Sequence, residues 1–273
     1  MKILTFVFAL VPALTCFASD GHSEVHDKIH ILLIGDSTTE GSIPRLTDPE
    51  GPHLERVIRQ LLELEPGMPR LKVYNLGQGG DTAFRLLDSG RYEREVAPIR
   101  QADFVFVRYG INDWVKRQPV AENFPADFRA VIQRLKMDYP DARIIPMTII
   151  PYLSAEASAV MNKMILEVSS EEDLEVFDIF TPYAKQLENG PNMLNYRRFP
   201  LQDIPAKYRE WVAPRVHGDR VVVMDNELDA LFGDLPGWFN DRHPNLAGYH
   251  VIAVETVQYL RPLLRQRIDG VKK

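Results

Sequence analysis

The chain has 273 residues, of which 45% are hydrophobic, enough for one sizeable globular core without a second domain. The formal net charge of -6 and the lack of a basic cluster argue against a nucleic-acid partner. The only cysteine is Cys16, so neither an internal disulfide nor a cysteine metal site is expected.

Residues 1–18 have the pattern of a secretory signal peptide. Lys2 supplies a positive charge, and the apolar stretch that follows is too short to span a bilayer comfortably. Cleavage after Ala18 places Cys16 at the minus-three position. A short buried helix or strand is one alternative, and a lipoprotein with Cys16 lipidated is another. We expect a secreted or periplasmic protein without a membrane span.

Apolar runs alternate with amphipathic stretches over residues 28–270. Stretches 54–62 and 128–135 carry apolar residues three and four apart, as helices do. This alternation predicts a single α/β domain with a central parallel sheet covered by helices on both faces. The strand-like runs are 30–34, 71–76, 103–109, 142–150, 175–180 and, more weakly, 221–224.

Residues 186–240 interrupt this pattern with prolines and interleaved aromatic residues. Long irregular segments within a domain are often lids or binding loops. We therefore predict an irregular insertion at about 186–240. It is either a functional lid or an aromatic surface loop without a ligand.

Polar groups follow three of the predicted strands and precede the last helix. Gly35-Asp36-Ser37 ends the first run, Gly79-Gly80 follows the second, Asn112 follows the third, and His243 stands near the last helix. The carboxyl ends of parallel strands meet at one edge of a sheet, where α/β proteins place their chemistry. Asp36 is interpreted as a turn residue.

These groups suit acyl transfer. The Ser37 hydroxyl needs a base to become nucleophilic, and the His243 imidazole can take and return its proton. The backbone N–H groups of Ser37 and Gly80 and the Asn112 amide can stabilise a tetrahedral oxyanion. Because no histidines or acids have metal-ligand spacing, we expect no metal and no cofactor.

Two short polar motifs predict helix caps. Asp81 and Thr82 precede one helical stretch, and Asn245 precedes the last one.

Four blocks in order resemble the SGNH, or GDSL-type, hydrolases. They are Gly35-Asp36-Ser37, Gly79-Gly80-Asp81-Thr82, Gly110-Ile111-Asn112-Asp113 and the region 241–245. The resemblance covers nearly the whole chain after the leader. It implies a flavodoxin-like three-layer α/β/α sandwich and ester hydrolysis without a metal. It also implies that Ser37 is the nucleophile, Gly80 and Asn112 are oxyanion donors, and His243 is the base.

The acid of the triad departs from the family pattern. The pattern places an aspartate three residues before the histidine, where this chain has Asn240, and Asp241 stands only two before. On a helical turn, residues two apart do not share a face. Three interpretations stay open: Asp241 reaches His243 through an irregular turn, Ser37 and His243 act as a dyad with backbone help, or the protein is a weakened enzyme or a binding protein. Asn240 is the alternative triad member.

The features together predict a secreted serine esterase that removes a small acyl group, most simply acetyl, from a carbohydrate through a Ser37 acyl-enzyme. A lysophospholipase or thioesterase of the same family is the first alternative. A carbohydrate-binding protein that retains the fold without turnover is the second.

Overall fold

Four parallel strands form the central sheet. The computed structural model describes residues 28–190 and 193–271, so the predicted signal peptide with Cys16 lies outside the described residues. The strands are β1 (Lys28–Gly35), β2 (Arg70–Gly77), β3 (Phe104–Arg108) and β4 (Arg143–Pro146), in the spatial order β2-β1-β3-β4. The predicted parallel sheet is confirmed, and its strand order is that of a flavodoxin-like fold.

Helices flank the sheet in two groups. The helices are α1 (Ser37–Glu40), α2 (Ser42–Thr47), α3 (Leu54–Glu63), α4 (Ala83–Asp88), α5 (Ile111–Lys116), α6 (Val120–Asp138), α7 (Ala155–Glu171), α8 (Phe180–Leu187), α9 (Arg209–Val212), α10 (Asp229–Phe232) and α11 (Leu246–Val271). In one group α3 packs with α11, and α11 also contacts α8. In the other group α6 packs with α4 and α7. Among the described residues, none of the helices is both long and apolar enough to cross a membrane.

The two inner strands carry the centre of the core. All five residues of β3 are buried, as are the last five of β1. Burial on both faces explains why these strands read as continuous apolar runs instead of alternating patterns. Their carboxyl ends deliver the residues of the candidate site.

The predicted strand at 175–180 does not form as a full strand. Phe177 makes a single parallel bridge with Met147 beside the end of β4. Just beyond it, the Thr148 hydroxyl accepts the backbone N–H groups of Ile179 and Phe180, each at 2.9 Å. These N–H groups therefore bond to a side chain instead of to a neighbouring strand, and the ladder stops.

The segment 186–240 is not irregular throughout, which corrects the prediction. It contains an antiparallel sheet of β5 (Arg197–Pro200), β6 (Val216–His217) and β7 (Arg220–Val223), in the order β5-β7-β6. The predicted run at 221–224 thus joins this small sheet and not the parallel one. Aromatic and aliphatic residues form its own apolar cluster, which includes Phe199, Phe232 and Trp238.

A buried ion pair ties this small sheet to its apolar cluster. The Arg197 guanidinium contacts both carboxylate oxygens of Asp229, at 2.8 and 2.5 Å. The Trp238 indole N–H donates to the same carboxylate at 2.7 Å. The Asp229 carboxylate therefore has two partners, and it gives the fully buried Arg197 the opposite charge that a buried cation requires.

Candidate active site

Ser37 lies at the sharp turn between β1 and α1. Asp36 is the N-cap of α1, and its carboxylate accepts hydrogen bonds from the Thr38 backbone N–H at 2.9 Å and the Thr38 hydroxyl at 2.7 Å. Burial raises the pKa of Asp36 above its ordinary value. These contacts match the interpretation of Asp36 as a turn residue. A Cβ on Gly35 would lie 2.7 Å from the Arg108 carbonyl oxygen, so this turn requires glycine.

Ser37, His243 and Asp241 form a continuous chain of polar contacts. The Ser37 hydroxyl oxygen lies 2.9 Å from His243 Nε2, and His243 Nδ1 lies 2.6 Å from Asp241 Oδ1. Asp241 Oδ1 also accepts the backbone N–H of His243 at 3.1 Å. Since α11 begins only at residue 246, residues 241–243 are outside the helix, and a tight turn brings residues two apart together.

The electrostatics of this turn favour an ionised Asp241. Burial by itself would raise the pKa of the carboxyl. The hydrogen bonds from His243 and the charge of Arg198 outweigh it and hold that pKa below its ordinary value. Asn240 is exposed, and its backbone N–H donates to the Gly237 carbonyl at 3.1 Å. The structure therefore places Asp241, and not Asn240, beside the His243 ring.

Two tyrosines hold the His243 ring. The Tyr196 ring stacks on it with centroids 5.6 Å apart and planes 12° apart, and the Tyr152 ring meets it edge-on at 5.0 Å. The Tyr152 hydroxyl lies 3.3 Å from His243 Nδ1. Burial raises the pKa of Tyr152 to about 12, so this hydroxyl stays protonated near neutral pH.

The three predicted oxyanion donors lie at strand ends or helix starts. The Asn112 Nδ2 atom is buried and has no hydrogen-bond partner among the described residues. A buried donor without a partner is costly and indicates a place for a missing acceptor. Ser37 is the first residue of α1, where a backbone N–H has no acceptor in a preceding helical turn, and Gly80 has a φ of +72°, which a side chain would strain.

Asp113 joins the loops that carry Gly80 and Asn112. Its carboxylate accepts the backbone N–H of Ala83 and the backbone N–H of Gly110, each at 3.0 Å. Burial raises the pKa of Asp113 to about 7. This side chain fixes the start of α4 relative to the start of α5.

The predicted caps are confirmed in part. The Thr82 hydroxyl accepts the Arg85 N–H at 3.1 Å and caps α4. The Asn245 side chain accepts the Gly248 N–H at 3.0 Å at the start of α11, as predicted.

Asp81 does not act as a cap. Its carboxylate instead lies 2.8 Å from Arg91 Nη2 and accepts the Tyr109 hydroxyl at 3.0 Å. Both charged side chains are almost fully buried. The reason is tertiary, because Arg91 and Tyr109 reach Asp81 from ten or more residues away.

Several residues at the site carry no signal in the sequence. Arg198 Nε lies 2.9 Å from Asp241 Oδ2, and the Tyr249 hydroxyl donates to the Ser37 carbonyl at 3.2 Å. The buried Arg108 side chain donates to the Thr38 carbonyl. Tyr196, which stacks on His243, is an exception, because it is one of the interleaved aromatic residues that distinguish segment 186–240 in the sequence. The described residues contain no cluster of three or more metal-ligating side chains.

The parallel sheet, with a serine and a histidine at its carboxyl edge, defines an α/β protein of the ester-hydrolase class. Residues 33–199 match the model of the GDSL-like Lipase/Acylhydrolase family. The chain belongs to this family and is a carboxylic ester hydrolase, as the four blocks predicted.

Solved structures share the fold. The acetylxylan esterase Axe2 from Geobacillus stearothermophilus is 19% identical, with 85% of this chain and 93% of that chain covered and a TM-score of 0.52. LAE5, an alpha/beta hydrolase enzyme from the metagenome of Lake Arreo, Spain, is 17% identical, with 84% and 94% covered and a TM-score of 0.52. A comparison with curated protein sequences gave no match. At these identities the likeness establishes the fold.

Proposed function

We propose that the protein is an exported serine esterase that removes small acyl groups, above all acetyl, from carbohydrates. The observation that carries the chemistry is the contact chain from Ser37 through His243 to Asp241, with distances of 2.9 and 2.6 Å. Hydrogen-bond reach between nucleophile, base and orienting acid is the geometric requirement for a catalytic triad.

In the first half of the reaction, the Ser37 Oγ attacks the acyl carbon of the ester. His243 Nε2 takes the hydroxyl proton as the new C–O bond forms. The carbonyl oxygen becomes an oxyanion, for which Asn112 Nδ2 and the N–H groups of Ser37 and Gly80 are the donors. Collapse of this intermediate breaks the ester bond, and His243 returns the proton to the leaving sugar hydroxyl.

In the second half, water hydrolyses the acyl group on Ser37. His243 takes a proton from the water as it attacks, and the same donors stabilise the second oxyanion. The bond to Ser37 Oγ then breaks, the proton returns to this oxygen, and the free acid leaves. Both halves use the side chains of Ser37, His243 and Asn112, and neither needs an oxidant or a reductant.

Asp241 selects the reactive form of the histidine. Its ionised carboxylate accepts the Nδ1 hydrogen, which leaves Nε2 unprotonated and facing Ser37. When His243 takes the proton, the same negative charge stabilises the imidazolium. The 2.6 Å contact therefore supports the triad interpretation over a dyad.

Three features support an acylated carbohydrate outside the cytoplasm as substrate. Residues 1–18 have the pattern of an export signal. Segment 186–240 brings an aromatic side chain to the site, because Tyr196 stacks on His243. One protein of similar fold is named as an acetylxylan esterase.

The test is an ester-hydrolysis assay with purified protein and its Ser37→Ala variant. Substrates are p-nitrophenyl acetate, the butyrate and longer-chain esters, and acetylated xylo-oligosaccharides. We expect acetate release by the wild type, loss of nearly all activity in Ser37→Ala, and rates that fall with acyl length. The exposed Ser89 provides the matched control, since Ser89→Ala leaves the contact chain intact.

Other outcomes would contradict parts of the proposal. Rates that rise with acyl length, or preference for a thioester, would favour a lysophospholipase or a thioesterase. Equal activity of the wild type and Ser37→Ala would exclude Ser37 as nucleophile. Export is tested separately by N-terminal sequencing of the protein secreted from an expressing cell, with a start at residue 19 expected.

A further inference from the structure

The segment that precedes β5 pairs with the segment that carries the catalytic base. Asn195 and Pro244 form an antiparallel bridge, and the Tyr196 backbone N–H donates to the His243 carbonyl oxygen at 3.2 Å. The pairing places Tyr196 opposite His243, where the two rings stack. The insertion therefore contributes backbone as well as side chains to the site.

Extending this register by two residues places Arg198 opposite Asp241. Residues two apart on an extended strand lie on the same face, so Tyr196 and Arg198 project on the same side of this pair as His243 and Asp241. The distance agrees, because Arg198 Nε lies 2.9 Å from Asp241 Oδ2. Directly opposed side chains of opposite charge are a stabilising pair in antiparallel structure.

The two oxygens of Asp241 have different partners. Oδ1 contacts both the Nδ1 atom and the backbone N–H of His243. For Oδ2, Arg198 is the only partner among the described residues. The Asp241 side chain is only 7% exposed. Without Arg198, this nearly buried carboxylate would lose its ion pair at Oδ2, which favours rotation of the group toward solvent.

We propose that Arg198 is a positioning residue that holds the Asp241 carboxylate in the orientation that receives the His243 Nδ1 hydrogen. This inference rests on the proposed function. Because Asp241 stands only two residues before His243, its side chain must lie along its own backbone for Oδ1 to reach Nδ1. Arg198 stabilises that orientation through the other carboxylate oxygen, Oδ2.

The experiment compares Arg198→Met with Arg220→Met on p-nitrophenyl acetate, a neutral substrate. Arg220 lies on the same small sheet and its side chain is 44% exposed against 41% for Arg198, so it controls for loss of a surface cation. For Arg198→Met we expect about a 10-fold lower kcat, because loss of the ion pair loosens the Asp241 carboxylate that orients His243. KM should stay within about 2-fold, since the interaction that is lost is with Asp241 and not with substrate. Arg220→Met should match the wild type in both kcat and KM.

Arg198→Lys separates charge from geometry. A lysine keeps the positive charge but not the guanidinium geometry, so kcat should lie between those of the wild type and Arg198→Met. A raised KM with unchanged kcat in Arg198→Met would instead indicate a substrate contact and overturn the proposal. An unchanged kcat in Arg198→Met would overturn it as well.

Two controls keep the result interpretable. Thermal unfolding verifies that each variant is folded, and Arg198→Gln replaces Arg198→Met if the latter fails to fold. Ser37→Ala is measured in the same assay. If Ser37→Ala abolishes activity while the Arg198 variants behave as the wild type, the inference about Arg198 fails and the proposed function stands.

Discussion

Asp241 lies within 2.6 Å of the His243 imidazole although only one residue separates the two in the chain. The contact is possible because residues 241–243 precede α11 and do not follow helical geometry. The Asp241 side chain accepts both the Nδ1 hydrogen and the backbone N–H of His243. Through this turn, Asp241, two residues before His243, lies beside the imidazole. In the family pattern, that position belongs to an aspartate three residues before the histidine.

This relationship predicts unequal roles for the two neighbouring residues. Asp241→Asn should lower kcat by up to about 10⁴, the effect of the same change in a serine-protease triad, because the amide disfavours the reactive tautomer. Asn240→Ala should change kcat by less than about 2-fold, as expected for an exposed side chain away from the imidazole. Steady-state kinetics on p-nitrophenyl acetate measure both. The opposite ranking would place Asn240 in the triad.

Removal of the Asn112 amide should reduce the rate without weakening substrate binding. Asn112→Ala is expected to lower kcat by about 10²–10³ with little change in KM, because the donor acts on the oxyanion of the transition state. Asn189→Ala, at an exposed asparagine, is the control. A change confined to KM would show that Asn112 binds the ground state instead.

Asp113 should make stability depend on pH. Burial raises its folded-state pKa from 3.8 to about 7, so between these values the folded protein binds more protons than the unfolded chain. Stability from this group is therefore present at low pH and is lost as pH rises toward 7. The free energy of unfolding should fall by about 1.4 kcal/mol per pH unit in that window relative to Asp113→Asn. Urea denaturation at several pH values measures this difference, and parallel curves for the two proteins would contradict the prediction.

The buried pair of Asp81 and Arg91 should be sensitive to loss of one partner. Arg91→Met leaves the Asp81 charge nearly buried, and we expect a loss of about 3–5 kcal/mol in the free energy of unfolding. The double variant Asp81→Asn with Arg91→Met should recover part of this loss, because the uncompensated charge is gone. Chemical denaturation measures the cycle, and additive effects of the two changes would contradict a coupled pair.

Much of the fold was predictable from sequence because it depends on local patterns. Continuous apolar runs marked the two inner strands, which are buried on both faces, and apolar residues three and four apart marked α3 and α6. The order of the strand-end blocks also placed Ser37, Asn112 and His243 at one edge of the sheet. These features follow from the periodicity of strands and helices and from the rule for parallel sheets.

Other features depended on partners that are distant in the chain. The run at 175–180 has strand character, yet the Thr148 hydroxyl takes the N–H groups of Ile179 and Phe180. The run at 221–224 joins a separate antiparallel sheet, because its neighbours β5 and β6 come from the insertion. Such choices depend on which segments meet in space, and local propensity does not determine that.

For the site, the sequence by itself determined which chemical groups are present. The Ser37 hydroxyl and the Asn112 amide follow strands, the His243 imidazole precedes the last helix, and the three occur in the order of a known family. It left open whether Asp241 supports His243, because helical spacing argues against a contact between residues two apart. The tertiary structure decided the contact. A non-helical turn brings Asp241 to the ring, and the stretch that leads into β5 brings Tyr196 and Arg198 to the same two residues. The physical reason is that a side chain's orientation depends on the backbone turn and on cross-strand neighbours, and both are set only when the chain has folded.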